Sequence, residues 1–215
     1  VVTIVSGPPW KQNCHLVAAP SEGALAIVDP GADSAELDSE IKAIGLEPTL
    51  LLVTHGHPDH LGAAARLSAE HDLECLVGSG DERVVRHAPA YAAAFGKLPL
   101  RLPQRIRFIG PDADIRLGSE PIGVLPLPGH TPGSLAFQIG GLILTGDTLF
   151  RGQLGRTDLP AGDSMALIRS VDLMLTEVDD ETIQIVPGHG PPWSIGEARR
   201  WWRRAGRAAA MSIAS

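Results

Sequence analysis

The chain is poor in cysteine: Cys14 and Cys75 are the only two among 215 residues, and they stand far apart. They fit neither a disulfide framework nor a Cys-x-x-Cys metal site. Long apolar runs are missing as well. The longest aliphatic stretch is a few residues, well short of the roughly 20 that cross a bilayer. Positive charge is scarce, and the formal net charge of −7 argues against a general nucleic-acid-binding surface. No basic-then-apolar leader precedes Val1, and the absence of an initial Met is what a trimmed start would leave. Repeats, low-complexity segments and a convincing linker are absent too. These absences leave the cytoplasm as the expected compartment. The composition that remains, 44% hydrophobic and 20% charged, is ordinary for one α/β domain with a sizeable core, expected over 1–215.

Against that background one stretch stands out. Thr54-His55-Gly56-His57-Pro58-Asp59-His60 follows the apolar run Thr49-Leu50-Leu51-Leu52-Val53. Leu51 to Val53 reads as a buried strand, so three imidazoles and a carboxylate emerge from the end of a sheet. His55 and His57 are two apart, which in extended chain places both rings on one side. Pro58 biases the residues before it toward extended geometry. Asp59 and His60 then fall at the first turn of a helix expected from Leu61 to about Glu70, facing another way. Such a loop can supply ligands to two adjacent cations.

The rest of the chain reads as strands interrupted by helices. Val1–Val5 is an expected edge strand closed by Gly7-Pro8-Pro9, and 14–18 with 24–28 form a hairpin across Pro-Ser-Glu-Gly. Asp33 or Ser34 caps a helix with Leu37, Ile41 and Ile44 on its apolar face, stopped at Gly45. After a short strand over 74–77 comes a helical region over 82–95, which Pro89 is expected to interrupt. The segment 97–107 reads as a surface excursion. Strands are expected over 115–117, 122–127, 134–139 and 142–145, with Gly140-Gly141 as a hairpin turn. An amphipathic helix over 163–175 presents Met165, Ile168, Val171 and Leu175. A strand over 182–186 follows. Ser194 caps a last helix to about Ala209, with Ile195, Ala198, Trp202 and Ala205 along its core stripe and arginines on its solvated face.

Three further strand ends lead into glycine-containing loops with a ligand-type residue: His130 after Leu127-Pro128-Gly129, Asp147 after Thr145-Gly146, and His189 after Pro187-Gly188. Strand ends of one sheet edge are where α/β folds place their sites. The whole pattern, His-x-His-x-Asp-His followed by a His, an Asp and a final His, resembles the metallo-β-lactamase superfamily. That resemblance implies a four-layer αββα sandwich, two mixed β-sheets flanked by helices. It implies that His55, His57 and His130 hold one metal, that Asp59, His60 and His189 hold a second, and that Asp147 bridges them. Asp29 matches an early strand-end Asp that orients the metal loop. Thr145-Gly146-Asp147-Thr148-Leu149-Phe150, Gly155-Arg156-Thr157-Asp158 and Pro187-Gly188-His189-Gly190-Pro191 are similar to the type II glyoxalase (hydroxyacylglutathione hydrolase) branch, particularly its short members. Full-length members add a C-terminal helical domain with glutathione-binding residues, and no such domain is expected here.

Imidazole and carboxylate without thiolate suit two divalent ions, zinc first, iron or manganese next. The expected reaction is thioester hydrolysis of a small-molecule substrate by a bridging hydroxide, since metal binding brings the pKa of water from about 16 toward 7. A thiol pKa of about 8.5 makes the leaving group undemanding. Asp59 and Asp147 are the candidate catalytic carboxylates, with Asp59 also steering the nucleophile. Arg156 is a candidate substrate contact, an internal salt bridge with Asp158 being the competing role. Tyr91 and Phe95 are assigned to helix packing ahead of a pocket wall, and His15, His71 and His87 to the surface or to caps. The rival functions are a mononuclear Fe(II) persulfide dioxygenase, a lactonase or esterase on the same site, and a metal-stabilised binding module. An RNA-processing nuclease would need a large inserted domain and a more basic surface.

Overall fold

The computed structural model describes residues 1–6, 10–95 and 99–214, with the side chains of 213 and 214 left aside. Gly7-Pro8-Pro9 and the start of the 97–107 segment lie outside these residues. One sheet has six strands in the order β1 (Val2–Val5), β2 (Asn13–Ala19), β3 (Ala24–Val28), β4 (Glu47–Val53), β5 (Cys75–Gly78) and β6 (Ile106–Ile109). Its first three strands pair antiparallel and its last four parallel, sharing β3. Two short antiparallel ribbons, β7 (Arg116–Leu117) with β8 (Glu120–Pro121) and β12 (Leu149–Phe150) with β13 (Gln153–Leu154), decorate the second half. The second sheet runs β15 (Trp193–Ser194), β14 (Gln184–Pro187), β11 (Leu142–Gly146), β10 (Leu135–Ile139), β9 (Gly123–Pro126). It is mixed, because β11 and β14 pair parallel while its other pairs are antiparallel.

Side-chain alternation explains the layering. In β4, Leu51 and Val53 belong to the cluster containing Leu37, Ile41 and Leu67 of the helices α1 (Ala35–Ile44) and α3 (Ala64–Glu70). Leu52, one residue out of phase, joins the cluster between the sheets with Phe137, Leu144 and Val186. Period two sends successive residues to opposite faces, and both faces here are covered. Beyond the second sheet, Ala136, Ile143 and Ile185 pack on Ile168 and Val171 of α5 (Ser164–Glu177) and on Ile195 and Ala198 of α6 (Ile195–Trp201). Helix, sheet, sheet, helix is the expected sandwich. The Ser34 Oγ accepts from Leu37 N at the start of α1, and Gly45 ends it at φ 69°.

Several local expectations are corrected. The helix expected from Leu61 is two helices, α2 (Pro58–Leu61) and α3, because Gly62 passes against Gly31 and Ala63 N bonds Pro30 O at 2.8 Å instead of continuing the helix. Pro89 does not interrupt α4 (Glu82–Ala94): Val84, Val85, Ala88 and Ala92 are buried along it and offset the missing hydrogen bond. Ile106 and Arg107 open a strand rather than end an excursion, and Leu100, Leu102, Ile106 and Phe108 pack on the core. Met165 is 40% exposed, and Met174 takes the core-facing role in α5. Ala205 is exposed as well, since a π-helical turn over Trp202–Gly206 inserts a residue into the periodicity and brings Gly206 and Ala210 inward. That turn joins α6 to α7 (Arg207–Ala214), so the last helical region runs past Ala209. Ser194 caps it with a full capping box. Among the described residues no helix is long and apolar enough to cross a membrane.

Candidate metal centre

Four chain segments meet at one end of the two sheets. The segment after β4 carries His55, His57, Asp59 and His60; the loop between β9 and β10 carries His130; Asp147 directly follows β11, and His189 lies two residues past β14. Backbone bonds lock the ends together, with Leu135 N on Thr54 O and Gly188 N on Gly146 O, both at 2.8 Å. His130 Nε2 lies 2.9 Å from His57 Nδ1 and 3.2 Å from His55 Nε2. His60 Nε2 faces Asp147 Oδ1 at 3.3 Å and Asp59 Oδ2 at 3.8 Å. His189 Nε2 faces Asp59 Oδ2 at 3.3 Å and Asp147 Oδ2 at 3.5 Å. Asp147 thus turns one oxygen to His60 and the other to His189 and, at 3.7 Å, to His130. Three overlapping sets, His55/His57/His130, His55/His60/Asp147 and Asp59/His60/His189, could each hold a metal ion.

The surroundings decide which ring nitrogens point inward. Thr54 Oγ1 donates to Asp29 Oδ2 (2.7 Å) and so accepts from His55 Nδ1 (3.2 Å). His60 Nδ1 meets Asp29 Oδ2 at 3.0 Å, His130 Nδ1 donates to Arg156 O at 2.7 Å, and His189 Nδ1 donates to Lys11 O at 3.3 Å. With Nδ1 of His55, His130 and His189 occupied as donors and Nδ1 of His60 facing the Asp29 carboxylate, these four rings turn Nε2 toward the others. The His55–His130 contact then sets two lone pairs face to face. His60 Nε2 and Asp147 Oδ1 are buried without a hydrogen bond. Lone pairs and carboxylates crowded in this way repel each other unless a cation lies among them, so the donor set fits divalent metal ions. The backbone leaves room for it: a Cβ on Gly188 would stand 2.4 Å from Asp147 Oδ1.

Charge in the bare cluster is arranged accordingly. Burial, reinforced by His130, drives His57 down to about 4. Burial likewise holds His55 well below the ordinary imidazole value, with the other histidines adding to it. Burial opposes the charge of His60, yet Asp29, Asp147 and Asp59 outweigh it and raise this pKa well above the usual value. Asp147 is held well below the carboxylate range by His60 and its neighbours in spite of burial. A proton on His60 therefore offsets part of the carboxylate charge when no cation does.

Two groups were not singled out from sequence. Asp81, wholly buried, accepts from Gly56 N and Gly133 N, each at 2.7 Å, and from Thr131 Oγ1 at 2.8 Å, tying the first ligand loop to the loop of His130. Its only sequence signal is a strand end followed by Ser79-Gly80-Asp81, the same setting that marked the ligands. The other is Trp10, whose ring meets Phe95 edge-on with centroids 5.3 Å apart. Trp10, Tyr91, Phe95 and Leu159 form an apolar wall of a cavity of about 190 Å³, whose other side is the ligand cluster and Arg156. Tyr91 and Phe95 thus border the site, against their assignment to helix packing; Phe95 is 57% exposed because it lies just past the end of α4. Arg156 also takes its competing role, pairing with Asp158 through Nε–Oδ1 at 2.7 Å and Nη2–Oδ2 at 2.8 Å. His15 is neither surface nor cap. It is 2% exposed, with Nε2 donating to Pro187 O at 3.1 Å, because the strand that carries it is covered by the second sheet's last loop. His71 does end α3, and His87 lies at the surface on Arg83 O.

A family model described as the metallo-beta-lactamase superfamily matches residues 7–189. Hydroxyacylglutathione hydrolase GloC of Haemophilus influenzae is 36% identical over 206 residues, 93% of this chain and 95% of that protein. Among solved structures, TTHA1623 in a di-iron-bound form has a TM-score of 0.82 at 34% identity, covering 96% of this chain and 98% of its own. The BLEG-1 B3 metallo-beta-lactamase has a TM-score of 0.81 at 26% identity, covering 93% and 96%.

Proposed function

The chain belongs to the metallo-beta-lactamase superfamily, and from that premise we propose that it is a dinuclear metal-dependent thioester hydrolase, similar to type II glyoxalases. A single domain over 1–215 carries the activity in this reading. The carrying observation is the complete second set: Asp59, His60 and His189 converge opposite His55, His57 and His130, with Asp147 between them. A mononuclear iron dioxygenase would have no use for that second set. The likeness to GloC supports the same reaction class.

In this reading His55, His57 and His130 would hold one cation and Asp59, His60 and His189 the other, with Asp147 available to both. Zinc is the proposed pair, and iron is the alternative, supported by the di-iron form of TTHA1623. Bound divalent ions supply a water acidic enough to ionise near neutral pH and a positive charge that draws electrons from a carbonyl. The chain does the rest. Asp59 and Asp147 orient the attacking water from the cavity floor. Trp10, Tyr91, Phe95 and Leu159 receive an apolar part of the substrate and exclude bulk water. Arg156, at the cavity and already paired with Asp158, can exchange that carboxylate for an anionic group of the substrate. A thiol with a pKa of about 8.5 departs as thiolate, so no strong proton donor has to stand beside it.

The test is a panel of thioesters, lactones and a glutathione persulfide, with oxygen uptake recorded beside hydrolysis and metal content measured on the same samples. Thioester cleavage lost in Asp147→Asn and His57→Ala together with metal is the expected result. Oxygen consumption with the persulfide and no hydrolysis would assign the site to the dioxygenase reaction.

A further inference from the structure

The last ligand loop, 187–190, is held by a segment that the reaction does not use. Asn13 opens β2 in the other sheet and is 4% exposed. Its Nδ2 donates to Pro187 O at 3.0 Å and to Gly190 O at 2.8 Å, the carbonyls on either side of Gly188-His189. Its backbone N donates to Gly188 O at 2.7 Å. One residue thus makes three bonds to the four-residue turn that carries His189. Lys11, two positions earlier, turns its carbonyl to His189 Nδ1 from a left-handed backbone at φ 50°. Between them Gln12, fully buried, donates from Nε2 to Asp29 O at 3.0 Å. Asp29 is the residue whose carboxylate meets His60 Nδ1, and it too is left-handed, at φ 53°. Non-glycine residues pay for that conformation, and it persists where the surroundings over-determine it.

We propose that Lys11–Asn13 is a bracket for the second cation site, with Asn13 as its principal positioning residue. Asn13 and Lys11 reach the His189 loop directly, and Gln12 reaches Asp29, which serves His60 and, through Thr54, His55. The loops of His57 and His130 are held from elsewhere, by Asp81 and by the Arg156 carbonyl. Loss of the Asn13 bonds, which end on the His189 loop and not on Asp29, therefore loosens one cation and spares the other. This selectivity rests on the two-cation reading above.

Metal-free protein titrated with Co(II), followed by visible absorption and by equilibrium dialysis, provides the test. Asn13→Asp keeps the shape but sets an acceptor against two carbonyls, and Asn13→Ala removes the donor without that repulsion. Wild type is expected to bind two equivalents. Both variants are expected to keep the first and to bind the second about 10- to 100-fold more weakly, the usual effect of losing an outer hydrogen-bond partner. Ser194→Ala, which removes a helix cap outside the site, serves as the destabilised control: its melting temperature falls while both equivalents remain. The proposal is overturned if the Asn13 variants bind both ions like wild type, or weaken both in parallel. Wild type taking up a single equivalent would instead sink the two-cation reading itself.

Discussion

Asp29 Oδ2 stands 3.0 Å from Nδ1 of His60, and both groups are buried. The pair sits behind the ligand cluster and settles which atom His60 offers to the front. It also sets the charge there. Asp29, with Asp147 and Asp59, overcomes burial and keeps His60 protonated above the ordinary imidazole range.

A cation entering the site must displace that proton. His57, lowered to about 4, and His55, lowered as well, are already neutral and release none. A raised pKa means that the protonated form persists as pH rises past the ordinary imidazole value, so protons compete with the metal even near neutral pH. Calorimetric titration at pH 7 in buffers of different ionisation enthalpy should show at least about one proton released on filling the site. Apparent affinity should drop about tenfold for each pH unit below the pKa of His60. Metal uptake without proton release would mean that His60 is already neutral in the bare cluster.

Asp81 holds two ligand loops together through three hydrogen bonds, and burial raises its pKa in spite of them. Asp81→Ala leaves two backbone N–H groups buried without a partner and the Thr131 hydroxyl with Ser134 Oγ alone. The expected loss is about 3 kcal/mol in urea unfolding, with an unchanged slope. A variant within about 0.5 kcal/mol of wild type would show that water takes over these bonds.

Neither thiol should react in the native state. Burial, with Asp29 adding to it, pushes Cys75 up to about 12 and raises Cys14 as well. Ellman's reagent at pH 8 should modify no thiol in folded protein and both after denaturation, since the thiolate is the nucleophile. Rapid modification of folded protein would reveal local opening of β2 or β5.

The wall of Trp10 and Phe95 faces the cluster across the cavity. Trp10→Ala and Phe95→Ala should raise KM about tenfold for thioesters with an apolar portion, leaving kcat and metal content unchanged. An equal loss of kcat for every substrate would remove the wall from substrate binding.

The candidate ligands were readable from sequence because each follows an apolar strand and stands in a short loop with glycine or proline beside it. The caps at Ser34 and Ser194 and the turn at Gly140-Gly141 were readable for the same reason: each depends on neighbours a few residues away. Pro89 and Ala205 misled, because helix propensity and period describe an isolated helix, whereas burial carries α4 through its proline and a π turn shifts the stripe of the last helix. Composition, strand-end spacing and cap chemistry are properties of the chain itself, and they determined a strand-rich α/β domain and the kinds of residue at its functional edge, while the four-layer sandwich was implied only by the family resemblance. Asn13, Gln12 and His15 have no such local signature. Asn13 reaches Pro187 across 174 positions of chain, and a bond of that span leaves no period in either segment. Only the packing of one sheet against the other decided which polar side chains aim the metal-binding rings and which merely lie near them.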